Sequence, residues 1–90
     1  MIYTIDDMDI DLSKVIRLYP AAVIELDGDM AQMSLEWAEL NEDKVKILSF
    51  VLVFDFTQQN QKEREKKEFH FSSKDELIKA INEVAQFFQN

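Results

Sequence analysis

The stretch Lys44–Thr57, KVKILSFVLVFDFT, decides how the rest of the chain is read. In an extended strand Val45, Ile47, Ser49, Val51 and Val53 project one way and Lys46, Leu48, Phe50, Leu52, Phe54 and Phe56 the other, so both faces are mostly apolar. A buried helix segment could carry such a run. Its density of Val, Ile and Phe, and the polar residues on either side, point instead to the central strand of a sheet. A strand apolar on both faces wants cover on both.

Working back towards the N-terminus, Asn41, Glu42 and Asp43 punctuate the approach, and Ala38–Asp43 reads as a connector with room for one helical turn. Before it, Ala21–Leu26 and Met30–Trp37 flank Asp27-Gly28, a pair suited to a two-residue turn with positive φ at both positions. That turn sets Leu26 opposite Asp29, Ile24 opposite Ala31 and Ala22 opposite Met33. One face then carries Ala22, Ile24, Ala31, Met33, Leu35 and Trp37, and the other Glu25, Gln32, Ser34 and Glu36. A slip of one residue would drive Gln32 and Glu36 inward, so the register is well specified. Further back, Leu12, Val15, Ile16 and Tyr19 recur at helical spacing before Pro20, which predicts a short helix; a strand through Val15, Arg17 and Tyr19 is the alternative. Met1–Ile5 reads as a short strand, and Asp6–Asp11 as an exposed turn or charged edge.

Towards the C-terminus, TQQNQKEREKK is a solvated excursion whose return leg begins near Glu65 and brings Phe69 and Phe71 inward and His70 outward. Ser73-Lys74-Asp75-Glu76 is a capping box, and Leu77, Ile78, Ile81, Val84, Ala85 and Phe88 form an apolar stripe, with Phe87 at its margin. The expected fold is α+β: a small antiparallel sheet of three to five strands, a C-terminal amphipathic helix on one face and a short N-terminal helix. A small barrel closed by the last helix is the alternative. From Lys67 to Phe88 the aromatic strand, serine, acidic helix start and amphipathic helix resemble the closing segment of pleckstrin-homology-like domains. The resemblance covers those residues alone, and no site or activity is taken from it.

Ninety residues make one domain, residues 1–90. The absence of cysteine excludes disulfides, thiolate catalysis and Cys-based metal centres. With no signal-like opening and no run long enough to span a bilayer, a soluble cytoplasmic protein is expected. The formal charge is -8, and it is uneven: residues 1–61 hold twelve acidic and four basic side chains, residues 62–90 six of each. Nucleic acid and anionic membrane are therefore disfavoured partners, and a basic protein is favoured.

No motif names an enzyme, so no catalytic, cofactor or metal site is assigned. Asp7, Asp9 and Asp11 have the spacing that opens a calcium loop, but Leu12 and Leu18 stand where its glycine and glutamate belong. His70, the one imidazole, could pair with Ser49 or Ser72 and Asp55, yet no nucleophile elbow is present. Lys62, Arg64, Lys66 and Lys67 are basic but interrupted by Glu63, Glu65 and Glu68. The expected function is a small acidic non-catalytic interaction module. Its surface would comprise Asp6, Asp7, Asp9, Asp11, Tyr19, Asp27, Asp29, Glu36, Trp37, Glu39, Glu42 and Asp43. A homodimer burying Ile47, Val51 and Val53 is a further expectation; a ligand-binding barrel or cup is the second function class, and a carboxylate- or histidine-based enzyme the third.

Overall fold

In the computed structural model, which describes residues 1–89, the opening stretch is a central strand, β5 (Lys46–Asp55). Before it come β1 (Ile2–Ile5), β2 (Met8–Asp11), a 3-10 turn at Leu12–Lys14, β3 (Arg17–Leu26), β4 (Asp29–Ser34) and α1 (Leu35–Leu40); after it come β6 (Lys66–Phe71) and α2 (Lys74–Gln86). The main sheet has four antiparallel strands in the order β4-β3-β5-β6, and β1 and β2 form a separate hairpin. The fold is α+β with an open sheet. Its outer strands, β4 and β6, do not pair, so the barrel alternative falls.

The hairpin of β3 and β4 follows from its turn. Asp27 and Gly28 have φ of +52° and +86°, and the pairs Leu26↔Asp29, Ile24↔Ala31 and Ala22↔Met33 all form. Pro20, expected to stop a helix, lies inside β3 opposite Leu52. A proline is tolerated there because β4 ends at Ser34 opposite Ala21, so the ladder on that side asks no donor of Pro20.

Both helices lie on one face of the sheet. Leu52, Phe54 and Phe69 pack with Leu77, Ala80 and Val84 of α2, and with Tyr3, Ile10, Leu12 and Leu35. On the same face, Ala22 and Ile24 lie under Ala38 of α1, with Met33 and Trp37 against them. A bulge lies where Val23↔Ser49 is followed by Ile24↔Ile47, leaving Leu48 over. Ile47 thereby turns to the helix side, away from Val51 and Val53 with which simple alternation had grouped it. Leu48, expected beside Phe50 on the covered face, is 38% exposed instead.

The other face keeps a narrow apolar strip, Ala21, Val51 and Val53, with Tyr19 and Val23 beside it. Val51 and Val53 are both 0% exposed within the single chain. Gln32 on one outer strand donates to Glu68 on the other at 3.0 Å, and Lys66 Nζ donates to the Tyr19 hydroxyl at 2.8 Å. These long polar side chains fold over the strip, so no second lid is needed to bury it.

Several local expectations change. The helix expected over Leu12–Tyr19 is one 3-10 turn, after which the chain enters β3. A helix of two turns gains few internal bonds, whereas Arg17–Glu25 gains a full ladder against β5. Leu35 and Trp37, expected to extend β4, stand on α1 because the Ser34 hydroxyl accepts the Trp37 amide at 3.1 Å and starts a helix. At α2 the cap forms as expected, with Ser73 Oγ accepting the Glu76 amide at 3.2 Å, but the Glu76 carboxylate accepts from the Ser72 hydroxyl. The buried stripe is Leu77, Ala80 and Val84; Ile78 and Phe88 are 39% and 54% exposed.

Candidate interaction surface

The β3–β4 turn positions the most distinctive surface. Ile24, Leu26, Ala31, Met33 and Trp37 line a groove of about 370 Å³ whose polar margin is Asp27 and Asp29. Its side chains converge because Ile24 and Leu26 of β3 share a face with Ala31 and Met33 of β4, and α1 lays Trp37 beside them. Leu26, 43% exposed, keeps the groove open to solvent; Met30, 67% exposed, projects on the opposite face of the sheet beside Glu25.

Glu36 and Glu39 lie on α1 next to a second shallow depression lined by Pro20, Leu35 and Leu40, and Leu40 is 75% exposed. Glu39 is ion-paired with Lys74 at the start of α2. Glu42 and Asp43 sit in the turn directly after α1. Asp27, Asp29, Glu36, Trp37, Glu39, Glu42 and Asp43 thus belong to the part of the molecule built by β4 and α1.

The remaining acidic residues are elsewhere. Asp6 and Asp7 form the β1–β2 turn with φ of +50° and +63°, Asp9 accepts from the Thr4 hydroxyl at 2.7 Å, and Asp11 accepts the Ser13 hydroxyl and amide. Those Ser13 bonds hold the Asp11 carboxyl below the ordinary aspartate range. This hairpin is anchored by Tyr3, whose hydroxyl donates to Glu83 at 2.9 Å and whose ring meets Phe87 edge-on. Glu83 and Phe87 belong to the far end of α2, and Glu39 pairs with its start, about 20 Å away along a helix of 13 residues. The Asp6–Asp11 hairpin and Glu39 are thus held at opposite ends of α2. Burial, reinforced by Glu83, pushes the Tyr3 hydroxyl up to about 12.

Tyr19 belongs to neither acidic group. It lies on the uncovered sheet face with the Arg17 guanidinium 4.9 Å and the Lys66 ammonium 5.5 Å from its ring centre. Below it a polar recess collects Arg17, Asp55, Thr57, Lys62 and Arg64. Asp55 is buried, and Thr57, through its hydroxyl and then its amide, keeps the carboxyl below the ordinary range. A carboxylate at the floor opposes any anion drawn to the three cations.

His70 meets Ser49, Nδ1 to Oγ 3.1 Å, on the same uncovered face. Asp55 is six residues from Ser49 along β5, about 20 Å at strand rise, and bonds Thr57 instead. The Ser–His–Asp grouping considered from the sequence is therefore not assembled. Among the described residues no group of three or more His, Asp or Glu is placed to hold a metal ion, and no helix is long and apolar enough to cross a membrane.

Compared with protein-family models, curated proteins and solved structures, the chain has no match. The groove's own chemistry has to carry the functional reading. Sequence reasoning named its acids and Trp37 as a surface but passed over Ile24, Leu26, Ala31 and Met33. The hairpin register had already grouped Ala31 with Met33; their place at an open rim depended on β4 being an outer strand.

Proposed function

We propose that the protein is a non-catalytic interaction module that takes a basic protein partner on the surface built by the β3–β4 turn, β4 and α1. The observation that carries this is the pairing of an exposed apolar groove, Leu26, Ala31, Met33 and Trp37, with carboxylates at its margin, Asp27 and Asp29. Apolar contact supplies affinity there and the carboxylates select charge. The formal charge of -8 adds long-range attraction for a cationic partner and repels nucleic acid and anionic lipid. A chain without cysteine is compatible with a reducing cytoplasm, where we place it.

The test is co-purification from the source cell with the tagged wild type and with Asp27→Asn/Asp29→Asn, each at low and high salt. A basic partner held by the wild type at low salt, and reduced both by salt and by the double variant, is the expected result. Recovery of the same partner by both proteins, or of none under either condition, counts against the reading.

A further inference from the structure

Resting on that reading, we infer that the partner's bound segment is an extended strand that adds to the free edge of β4, alternating apolar residues with Lys or Arg. The two-residue turn makes Leu26↔Asp29 a hydrogen-bonded pair. By alternation Asp29, Ala31 and Met33 direct their backbone groups to β3. Met30 and Gln32 direct theirs outward, and β4 is the outermost strand on that side.

The sheet's two edges are not alike. β6 carries Lys66, Lys67 and Glu68, the charged residues with which natural sheets discourage strand addition. From Met30 to Ser34, β4 has no charge and no proline, and the bulge of this sheet lies between β3 and β5. One edge is guarded and the other is left available.

The flanking chemistry specifies the occupant. A strand laid along β4 puts alternate side chains on the α1 side, beside Ala31, Met33 and Trp37, where apolar groups extend the groove. Its other side chains fall beside Met30 and Gln32, on the face where Glu25 is paired with Met30 and Glu68 accepts from Gln32, so cationic residues there meet carboxylates. Asp27 and Asp29 stand at one end of the edge, and Glu36 follows two residues after the other. A second copy fits this poorly. Antiparallel pairing of two β4 strands about a two-fold axis through Ala31 sets Asp27-Gly28-Asp29 of each chain opposite Met33-Ser34-Leu35 of the other, so no carboxylate meets a cation across the seam, and two chains of formal charge -8 repel. Lysine and arginine at those positions turn the same repulsion into attraction.

The probe is a capped peptide alternating Lys and Val over the length of β4, titrated against Trp37 fluorescence. Its comparisons are a block isomer with all Lys before all Val, and the alternating peptide N-methylated at every second residue. Met30→Pro removes an outward N–H without touching the bonds to β3, and Asp27→Asn/Asp29→Asn removes charge alone. Strand addition expects the alternating peptide to bind more tightly than the block isomer. N-methylation on the paired side, and Met30→Pro, should each weaken binding about tenfold. The methylated peptide is read on the wild type, so the test survives if Met30→Pro does not fold. Equal binding of both isomers, unchanged by N-methylation but lost in the charge variant, overturns strand addition and leaves the acidic-surface reading standing. Failure of both peptides together with indifference to the charge variant removes both. A dimer in sedimentation that Met30→Pro dissociates makes a second copy the occupant and overturns the inference.

Discussion

Asp27 and Gly28 show how much one turn position can carry. Nothing lies within 4 Å of a Cβ built on Gly28, so its cost is set by φ of +86° alone. Gly28→Val should destabilise by about 1–3 kcal/mol, and Gly28→Asn by less, in urea denaturation. Tyr3 gives a pH signature. Its folded pKa of about 12 lies above the ordinary tyrosine value of 10.0, so the folded state holds a proton that the unfolded chain gives up between them. Its contribution is fully present below pH 10.0 and lost as the pH rises towards 12. Tyr3→Phe should cost about 0.5–1.5 kcal/mol at neutral pH and flatten the alkaline fall in stability relative to the wild type. Asp55 has the opposite sign. Its folded pKa is depressed, so its contribution is present above the ordinary aspartate range and lost as the pH falls through the folded value. Asp55→Asn should shrink the acid loss of stability below about pH 4, measured as the unfolding midpoint against pH.

At the scale of elements, α2 separates what periodicity says from what packing decides. Leu77 is 0% and Ile78 39% exposed, although both belong to the stripe expected from spacing. Leu77→Ala should therefore cost about 2–5 kcal/mol, against a total of roughly 5–15 kcal/mol for a domain, and Ile78→Ala well under half as much. Calorimetry or urea melts of the two variants measure the difference. The Asp27-Gly28 hairpin and the Ser73 cap were legible because their chemistry closes within a few residues. Over Leu12–Tyr19 the sequence favoured a helix and held a strand through Val15, Arg17 and Tyr19 as the alternative; the strand from Arg17 formed and the helix shrank to a 3-10 turn. The apolar residues of that stretch fit a helical face, but Leu12 and Tyr19 end on different sides of the sheet once the chain enters β3. The bulge at Leu48 left no trace, since it exchanges one aliphatic side chain for another.

Over the whole molecule, charge is distributed by the fold and not by sequence order. The Asp6–Asp11 group sits by the end of α2, the Asp27–Asp43 group is built on β4 and α1, and Arg17 joins Lys62, Arg64 and Lys66 on the far side of β3 and β5. The acidic interaction surface proposed above would act chiefly on encounter. Raising salt well above 0.15 M, where screening acts over about 8 Å, should slow association with a basic peptide while leaving the unfolding temperature nearly unchanged. Stopped-flow Trp37 fluorescence at several salt concentrations checks this; an association rate indifferent to salt would place the binding energy in apolar contact alone.

By itself the amino-acid sequence determined the α+β class, the central strand, the β3–β4 register and the capped C-terminal helix, because alternation, turn chemistry and capping act over a few bonds or a few residues. Only the tertiary structure decided that both helices cover one face, that Ile47 and Leu35 pack where they do, and that polar side chains close over Val51 and Val53. It also decided that β4 is an outer strand and that the Asp6–Asp11 hairpin and Glu39 lie at opposite ends of α2. The reason is physical: periodicity tells which side chains point the same way, whereas what covers them depends on elements distant in the chain meeting in space.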